Sequence, residues 1–146
     1  MTRKLILTWD DLQRDVQTLA GDLSLQQEWK GIVAIARGGL VPASLLAYEL
    51  NIRTVETIAL ASYGDDHQQA ELQLLKAPTE ELREGAGWLI VDDLVDTGET
   101  THFVRDLLPQ AYMAVVYAKP LGKSVVDKFV KEVSQETWIV FPWEES

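Results

Sequence analysis

Leu12, Val16, Leu19 and Leu23 recur at helical spacing. That periodicity predicts an amphipathic helix from about Asp10 to Leu23. Thr8-Trp9-Asp10-Asp11 carries the Ser/Thr-x-x-Asp/Glu spacing of a helix start, and Gly21 weakens the last turn. Ile32-Val33-Ala34-Ile35-Ala36 is apolar without alternation, the pattern of a strand buried on both faces, and it ends in Arg37-Gly38-Gly39. Leu40 to Leu50 reads as a helix with Pro42 tolerated in its first turn. Val55 to Ala61 reads as a second strand. Trp88-Leu89-Ile90-Val91 reads as a third, stopping at Asp92-Asp93. A further helix opens at Thr97-Gly98 and ends near Leu108-Pro109, and Ala111 to Ala118 is a fourth strand. Strands alternating with helices define an α/β fold with a mainly parallel sheet covered on both faces. The tail from Lys128 to Phe141 is β-prone without a clear element.

Ser62 to Gln69 is polar, and no regular structure is evident before about Glu71. A long loop in a compact α/β domain is usually a lid or disordered. This one follows a strand, so it lies where such folds bind ligands, over the carboxyl ends of the sheet.

The whole chain of 146 residues fits one domain. Its net charge is −10, with a pI near 4.5, which excludes general nucleic-acid binding through clustered Lys and Arg. The absence of cysteine excludes disulfides, Cys-zinc sites and thiol catalysis. No apolar run approaches the roughly 20 residues of a membrane span. Leu5-Ile6-Leu7 is too short for a signal-peptide core, which makes the cytoplasm the expected compartment. His67 and His102 form no ligand spacing, and Trp9, Trp29 and Trp88 read as core or subunit-contact residues.

The segment Trp88 to Thr101 carries the chemistry. A buried strand meets two adjacent carboxylates, then a tight turn with Gly98 and small hydroxyl residues, then a helix start. Free amides and partial positive charge at that start suit a phosphate. The carboxylates suit ribose hydroxyls, a metal ion or a developing cation. A phosphate nest beside carboxylates therefore fits a ribose-phosphate ligand. Neither the Walker pattern nor the three-glycine dinucleotide fingerprint is present. The bland alternative is an ordinary strand-to-helix turn in which Asp96 or Thr97 caps the helix.

Val91-Asp92-Asp93-Leu94-Val95-Asp96-Thr97-Gly98-Glu99-Thr100 resembles the PRPP-binding motif of type I phosphoribosyltransferases. Leu7-Thr8-Trp9-Asp10, Glu28-Trp29-Lys30-Gly31-Ile32 and Ala36-Arg37-Gly38-Gly39-Leu40-Val41-Pro42 match in order the bacterial xanthine-guanine phosphoribosyltransferase family. So do Ala118-Lys119-Pro120 and Glu136-Thr137-Trp138-Ile139 with Pro142-Trp143. The resemblance spans nearly the whole chain. It implies the type I fold, a mainly parallel sheet flanked by helices, with a small hood and a flexible lid loop.

The implied reaction replaces the pyrophosphate of PRPP by a nitrogen of guanine, xanthine or hypoxanthine, through an oxocarbenium-like transition state. By the same resemblance, Asp96, Thr97, Gly98, Glu99 and Thr100 hold the 5-phosphate, with Leu94 and Val95 in the same PRPP-binding stretch. Asp92 and Asp93 face the ribose hydroxyls, and Asp93 reaches Mg²⁺ directly or through water, in keeping with the hard oxygen ligands that ion prefers. Asp96 approaches purine N7 as proton acceptor or orienting group. Arg37 and Gly38 belong to the pyrophosphate loop, which in the family has a cis peptide at the position matching Arg37-Gly38. Lys119 donates to the 6-oxo group, Trp138 stacks on the base, and Ile139 offers backbone contacts near the 2-position. The bland readings are a solvated Arg37 in a glycine turn, a surface Lys119 and a core Trp138.

Three departures stand out. The family's lid carries an arginine that reaches pyrophosphate, whereas Gly64 to Leu75 contains none and Lys76 is the nearest cation to replace it. Family members continue beyond Pro142-Trp143, whereas this chain stops at Ser146, and Val140-Phe141 replaces a polar stretch beside the base pocket. Glu99 stands where close relatives have glycine. The resemblance also implies a homotetramer (or dimer) and at most weak peripheral association with the inner membrane. The rival reading is a non-catalytic regulatory module of the same fold that binds PRPP or a nucleotide.

Overall fold

The computed structural model describes residues 3–63 and 71–144, so most of the expected lid loop lies outside the described residues. Among the described residues, eight strands and three α-helices follow the chain: β1 (Arg3–Ile6), α1 (Trp9–Ser24), β2 (Gly31–Ala36), α2 (Leu40–Glu49), β3 (Val55–Tyr63), β4 (Glu71–Lys76), β5 (Trp88–Val95), α3 (Glu99–Leu107), β6 (Tyr112–Ala118), β7 (Lys131–Glu132) and β8 (Thr137–Val140). The main sheet has the order β4-β3-β2-β5-β6-β7. Its pairs are parallel except β3 with β4. β1 and β8 form a separate parallel pair, the hood.

Continuous apolar strands have the burial they imply. Ile32, Ala34, Leu89 and Val91 point into a core shared with Leu12, Val16 and Leu19 of α1 and Leu46 of α2. Val33, Ile35 and Ile90 point the other way, towards Val104 of α3 and Leu108. α1 begins with a reciprocal cap: Thr8 Oγ1 accepts from the Asp11 amide and Asp11 Oδ2 from the Thr8 amide, both at 3.0 Å.

One acidic residue breaks the apolar face of α1. Asp15 is buried and accepts from the Tyr117 hydroxyl of β6 at 2.5 Å, while Lys131 of β7 lies 3.1 Å away. Burial and this carboxylate push the Tyr117 phenol far above its ordinary pKa, so it stays a donor. Asp15→Ala leaves that buried hydroxyl without a partner. It is expected to lower stability by about 1–3 kcal/mol in a urea titration.

One expectation is corrected, and two strands that the sequence pattern did not place are added. β5 does not stop at Asp92-Asp93 but runs on to Val95, because β6 keeps pairing with it (Leu94 with Tyr117, Val95 with Ala118). Residues from Glu71 on form β4, a hairpin partner of β3, whose half-buried Leu72 and Leu74 alternate with exposed Glu71 and Gln73. Arg3–Ile6 form β1, a strand only because β8 pairs with it.

Candidate active site

β2 pairs with β5 only as far as Val91, and the chain then turns away through Arg37-Gly38-Gly39. The Gly39 amide donates to Ile35 O at 2.8 Å and the Leu40 amide to Arg37 O at 3.0 Å, which closes the turn. That departure frees one edge of β5 where Asp92 and Asp93 stand. A cleft of about 240 Å³ opens there, lined by Ile35, Gly38, Ser62, Asp92, Asp93 and Thr100 among others. The turn must be glycine to come so close. A Cβ on Gly38 would meet Asp93 Oδ2 at 2.6 Å, and one on Gly39 would meet Val91 O at 2.3 Å. Arg37 is exposed at the rim. The cis peptide lies between Ala36 and Arg37, one bond before the expected Arg37-Gly38 position.

The two carboxylates share a desolvated corner. Asp92 Oδ1 accepts from the Asp93 amide at 2.8 Å. Burial, reinforced by the neighbouring Asp93 charge, pushes Asp92 well above the usual carboxylate range. Burial raises Asp93 as well, and the charge of Glu144 adds to it. Such a pair favours a bound cation or ligand hydroxyl, since either lowers the cost of holding negative charge out of water.

Beyond β5 the chain bends through Asp96, Thr97 and Gly98. Gly98 is the N-cap of α3, in the left-handed region at φ 96°, and no side chain caps the helix. With Gly98 at the cap position, neither Asp96 nor Thr97 makes a capping hydrogen bond, which removes the bland reading of this turn. The first-turn amides of α3 are left to a ligand. Leu94 and Val95 pack their side chains into the interior and offer the cleft only backbone. Glu99 is exposed and Thr100 half-buried.

Across from this loop, the Lys119 amide extends the ladder by donating to Val95 O at 3.0 Å. Its side chain is only 7% exposed, and Nζ lies 3.4 Å from Asp96 Oδ2. Lys119 is thus a buried cation aimed at the phosphate loop, not a surface lysine. Gly122 makes the approach possible, since a Cβ there would meet Asp96 O at 2.8 Å. On β8, Trp138 is 59% exposed between buried Thr137 and Ile139, so it is not a core aromatic. Ile139 turns its side chain inward.

Sequence reading missed Gln135, in the turn before β8, whose Nε2 donates to Asp96 Oδ1 at 2.6 Å. No motif signals it, because only the fold brings residues 96 and 135 together. Lys76, considered as a substitute for the lid arginine, instead donates to Thr57 O at 2.7 Å on the flank of the hairpin. His102 is exposed on α3, and His67 lies outside the described residues. Trp88 is buried, Trp29 half-buried, and Trp9 is 54% exposed beside Trp143.

A mainly parallel sheet, carboxylates on its central strand and an uncapped helix start after them suit a ribose-phosphate ligand. The family model of the phosphoribosyl transferase domain matches residues 4–146, and the chain belongs to that family, with its type I fold. Its relatives narrow the class further. The chain is 54% identical over 138 residues to a xanthine-guanine phosphoribosyltransferase of Nitratidesulfovibrio vulgaris, covering 94% of this chain and 83% of that protein. It is 49% identical over 143 residues to the enzyme of the same name from Chromohalobacter salexigens, covering 97% and 85%. Among solved structures, the purine phosphoribosyltransferase from Pyrococcus horikoshii Ot3 superposes with a TM-score of 0.84 at 31% identity, covering 98% of this chain and 95% of that one.

Proposed function

We propose that this protein is a purine-salvage enzyme that moves ribose 5-phosphate from PRPP to a 6-oxopurine, releasing pyrophosphate. The observation that carries the reading is the buried Lys119 facing Asp96 beside the uncapped start of α3. A cation, a carboxylate and a phosphate nest then meet around one ligand. The bond from the ribose anomeric carbon to pyrophosphate breaks, and a bond to the purine nitrogen forms.

Each residue has a definite task. The α3 amides, with Thr97 and Thr100, hold the 5-phosphate. Asp92 and Asp93 hold the ribose hydroxyls and set a negative field beside the developing oxocarbenium charge. The Arg37-Gly38 turn receives the leaving pyrophosphate. Asp96 accepts from, or orients, the purine at N7. Lys119 donates to the 6-oxo group and opposes a 6-amino group, which would face it with another donor. Trp138 offers an exposed ring to the base, and Ile139 its backbone.

Mg²⁺ fits this donor set. Among the described residues no three His, Cys, Asp or Glu side chains gather into a metal cage. A pair of desolvated carboxylates is instead what Mg²⁺ uses when substrate phosphates complete its shell. Bound there, the ion would neutralise the leaving pyrophosphate, with Asp93 as its protein contact. The homotetramer or dimer is the assembly the family resemblance implies, and the exposed Leu40 and Tyr48 of α2 are candidate contact residues for it. No helix among the described residues is long and apolar enough to cross a membrane.

The test is nucleotide formation. Protein with PRPP, guanine and Mg²⁺ is expected to yield GMP and pyrophosphate, read by chromatography. Asp93→Asn is expected to raise the Mg²⁺ concentration for half-maximal rate by about tenfold or more, the order of cost of losing a group that orients a metal's shell. Nucleotide binding without turnover would replace the reading with the regulatory module.

A further inference from the structure

Three groups assigned to the purine come from three separate segments: Asp96 from the loop after β5, Lys119 from the end of β6, and Trp138 from β8. Gln135 joins all three. It sits in the turn leading into β8, its Nε2 donates to Asp96 Oδ1 at 2.6 Å, and its Oε1 accepts from the Leu121 amide at 2.9 Å, two residues beyond Lys119. The second bond fixes the direction of the first. A backbone N–H can only donate, so the amide oxygen must face Leu121 and the amide nitrogen must face Asp96.

The two Asp96 oxygens are therefore unequal. Oδ1 is held by a short bond to a braced donor, whereas among the described residues Oδ2 has only Lys119 Nζ at 3.4 Å. When Lys119 turns to the 6-oxo group of an incoming base, Oδ2 is released and Oδ1 stays held. An exposed carboxylate without such a brace rotates freely and spends less time in the reacting geometry.

We propose that Gln135 is a positioning residue that locks Asp96 through Oδ1 and presents Oδ2 to the purine. The proposal rests on the reading of Asp96 as the purine-facing carboxylate. It adds the residue that sets its orientation and ties the Lys119 turn to the strand that bears Trp138.

A double-mutant cycle tests it, with Gln135→Ala, Gln135→Glu, Asp96→Asn and Gln135→Ala/Asp96→Asn assayed for turnover of guanine and for PRPP binding. Gln135→Ala is expected to lower kcat/KM for guanine about tenfold or more, a typical cost of loosened geometry, with PRPP affinity within about twofold of wild type. Gln135→Glu keeps the shape and still accepts from the Leu121 amide, but turns a carboxylate towards Asp96. It is expected to be at least as impaired. In the Asp96→Asn background, Gln135→Ala is expected to cost no more than about a further twofold, since residues acting as a unit are not additive.

Wild-type activity in Gln135→Ala overturns the proposal. So does full activity in Gln135→Glu, which would reduce the residue to a brace for Leu121. Fully additive losses overturn it too, because Gln135 would then act elsewhere. Wild-type turnover in Asp96→Asn is the separate signature that the underlying reading of Asp96 has failed.

Discussion

Asp96→Asn is expected to lower kcat about 10²- to 10⁴-fold, the range associated with a positioned proton acceptor. Its effect on PRPP affinity is expected to stay within about twofold. Asparagine keeps the size of the side chain and leaves an amide oxygen able to accept from Gln135, which lies 2.6 Å from Asp96 Oδ1. It removes the charge facing Lys119 and the ability to take a proton. The phosphate contacts assigned here come from backbone amides of α3 and its hydroxyl residues, which the substitution leaves in place. Steady-state rates and calorimetric PRPP titration, run on the same preparation, separate the two effects. A large loss of PRPP affinity with unchanged kcat would move Asp96 from the purine to the phosphate.

Gly39→Ala is the second large expected effect, and it acts on fold and site together. The new Cβ would lie 2.3 Å from Val91 O, 2.9 Å from Ile35 O and 3.1 Å from the Asp92 Cα. All three are backbone atoms of buried strands, so no side chain can swing aside. Overpacking of this kind costs about 1–3 kcal/mol and more where backbone must shift. The only relief is to push the β2–α2 turn away from β5 at the residue that carries Asp92. A lower melting temperature together with lost turnover is the expected result. Gly21→Ala is the control. It has no heavy atom within 4 Å of its added Cβ, and alanine for glycine in the last turn of α1 is expected to stabilise by up to about 0.5–1 kcal/mol. Equal melting temperatures for the two variants would contradict the packing argument.

The parts of this fold legible in the sequence were those whose causes are local. The stripe Leu12-Val16-Leu19-Leu23 placed α1, which runs Trp9–Ser24, and the run Ile32 to Ala36 placed β2, Gly31–Ala36. Elements that exist because of a distant partner were not legible. β1 is a short stretch of mixed character that becomes a strand only beside β8, at the far end of the chain. β4 shows its alternation only once β3 is set alongside. Asp92 and Asp93 marked the end of a strand in sequence because charge normally leaves a sheet. Here pairing with β6 carries β5 past them.

The site divides in the same way. The carboxylates and the helix start lie within a single segment and were read from residue type and spacing, whereas the glycine turn entered the site through the family resemblance. That Lys119 is buried against Asp96 depends on Gly122 letting two loops touch, and that Gln135 reaches Asp96 depends on the turn before β8. Neither follows from spacing.

The central claim is that Lys119, held beside Asp96, selects a 6-oxopurine. It is tested most directly by comparing kcat/KM for guanine, xanthine, hypoxanthine and adenine with saturating PRPP and Mg²⁺. The account predicts turnover of the 6-oxopurines and a value for adenine lower by about 10²-fold or more, since a buried donor facing an amino group is left unpaired. Comparable turnover of adenine would contradict it.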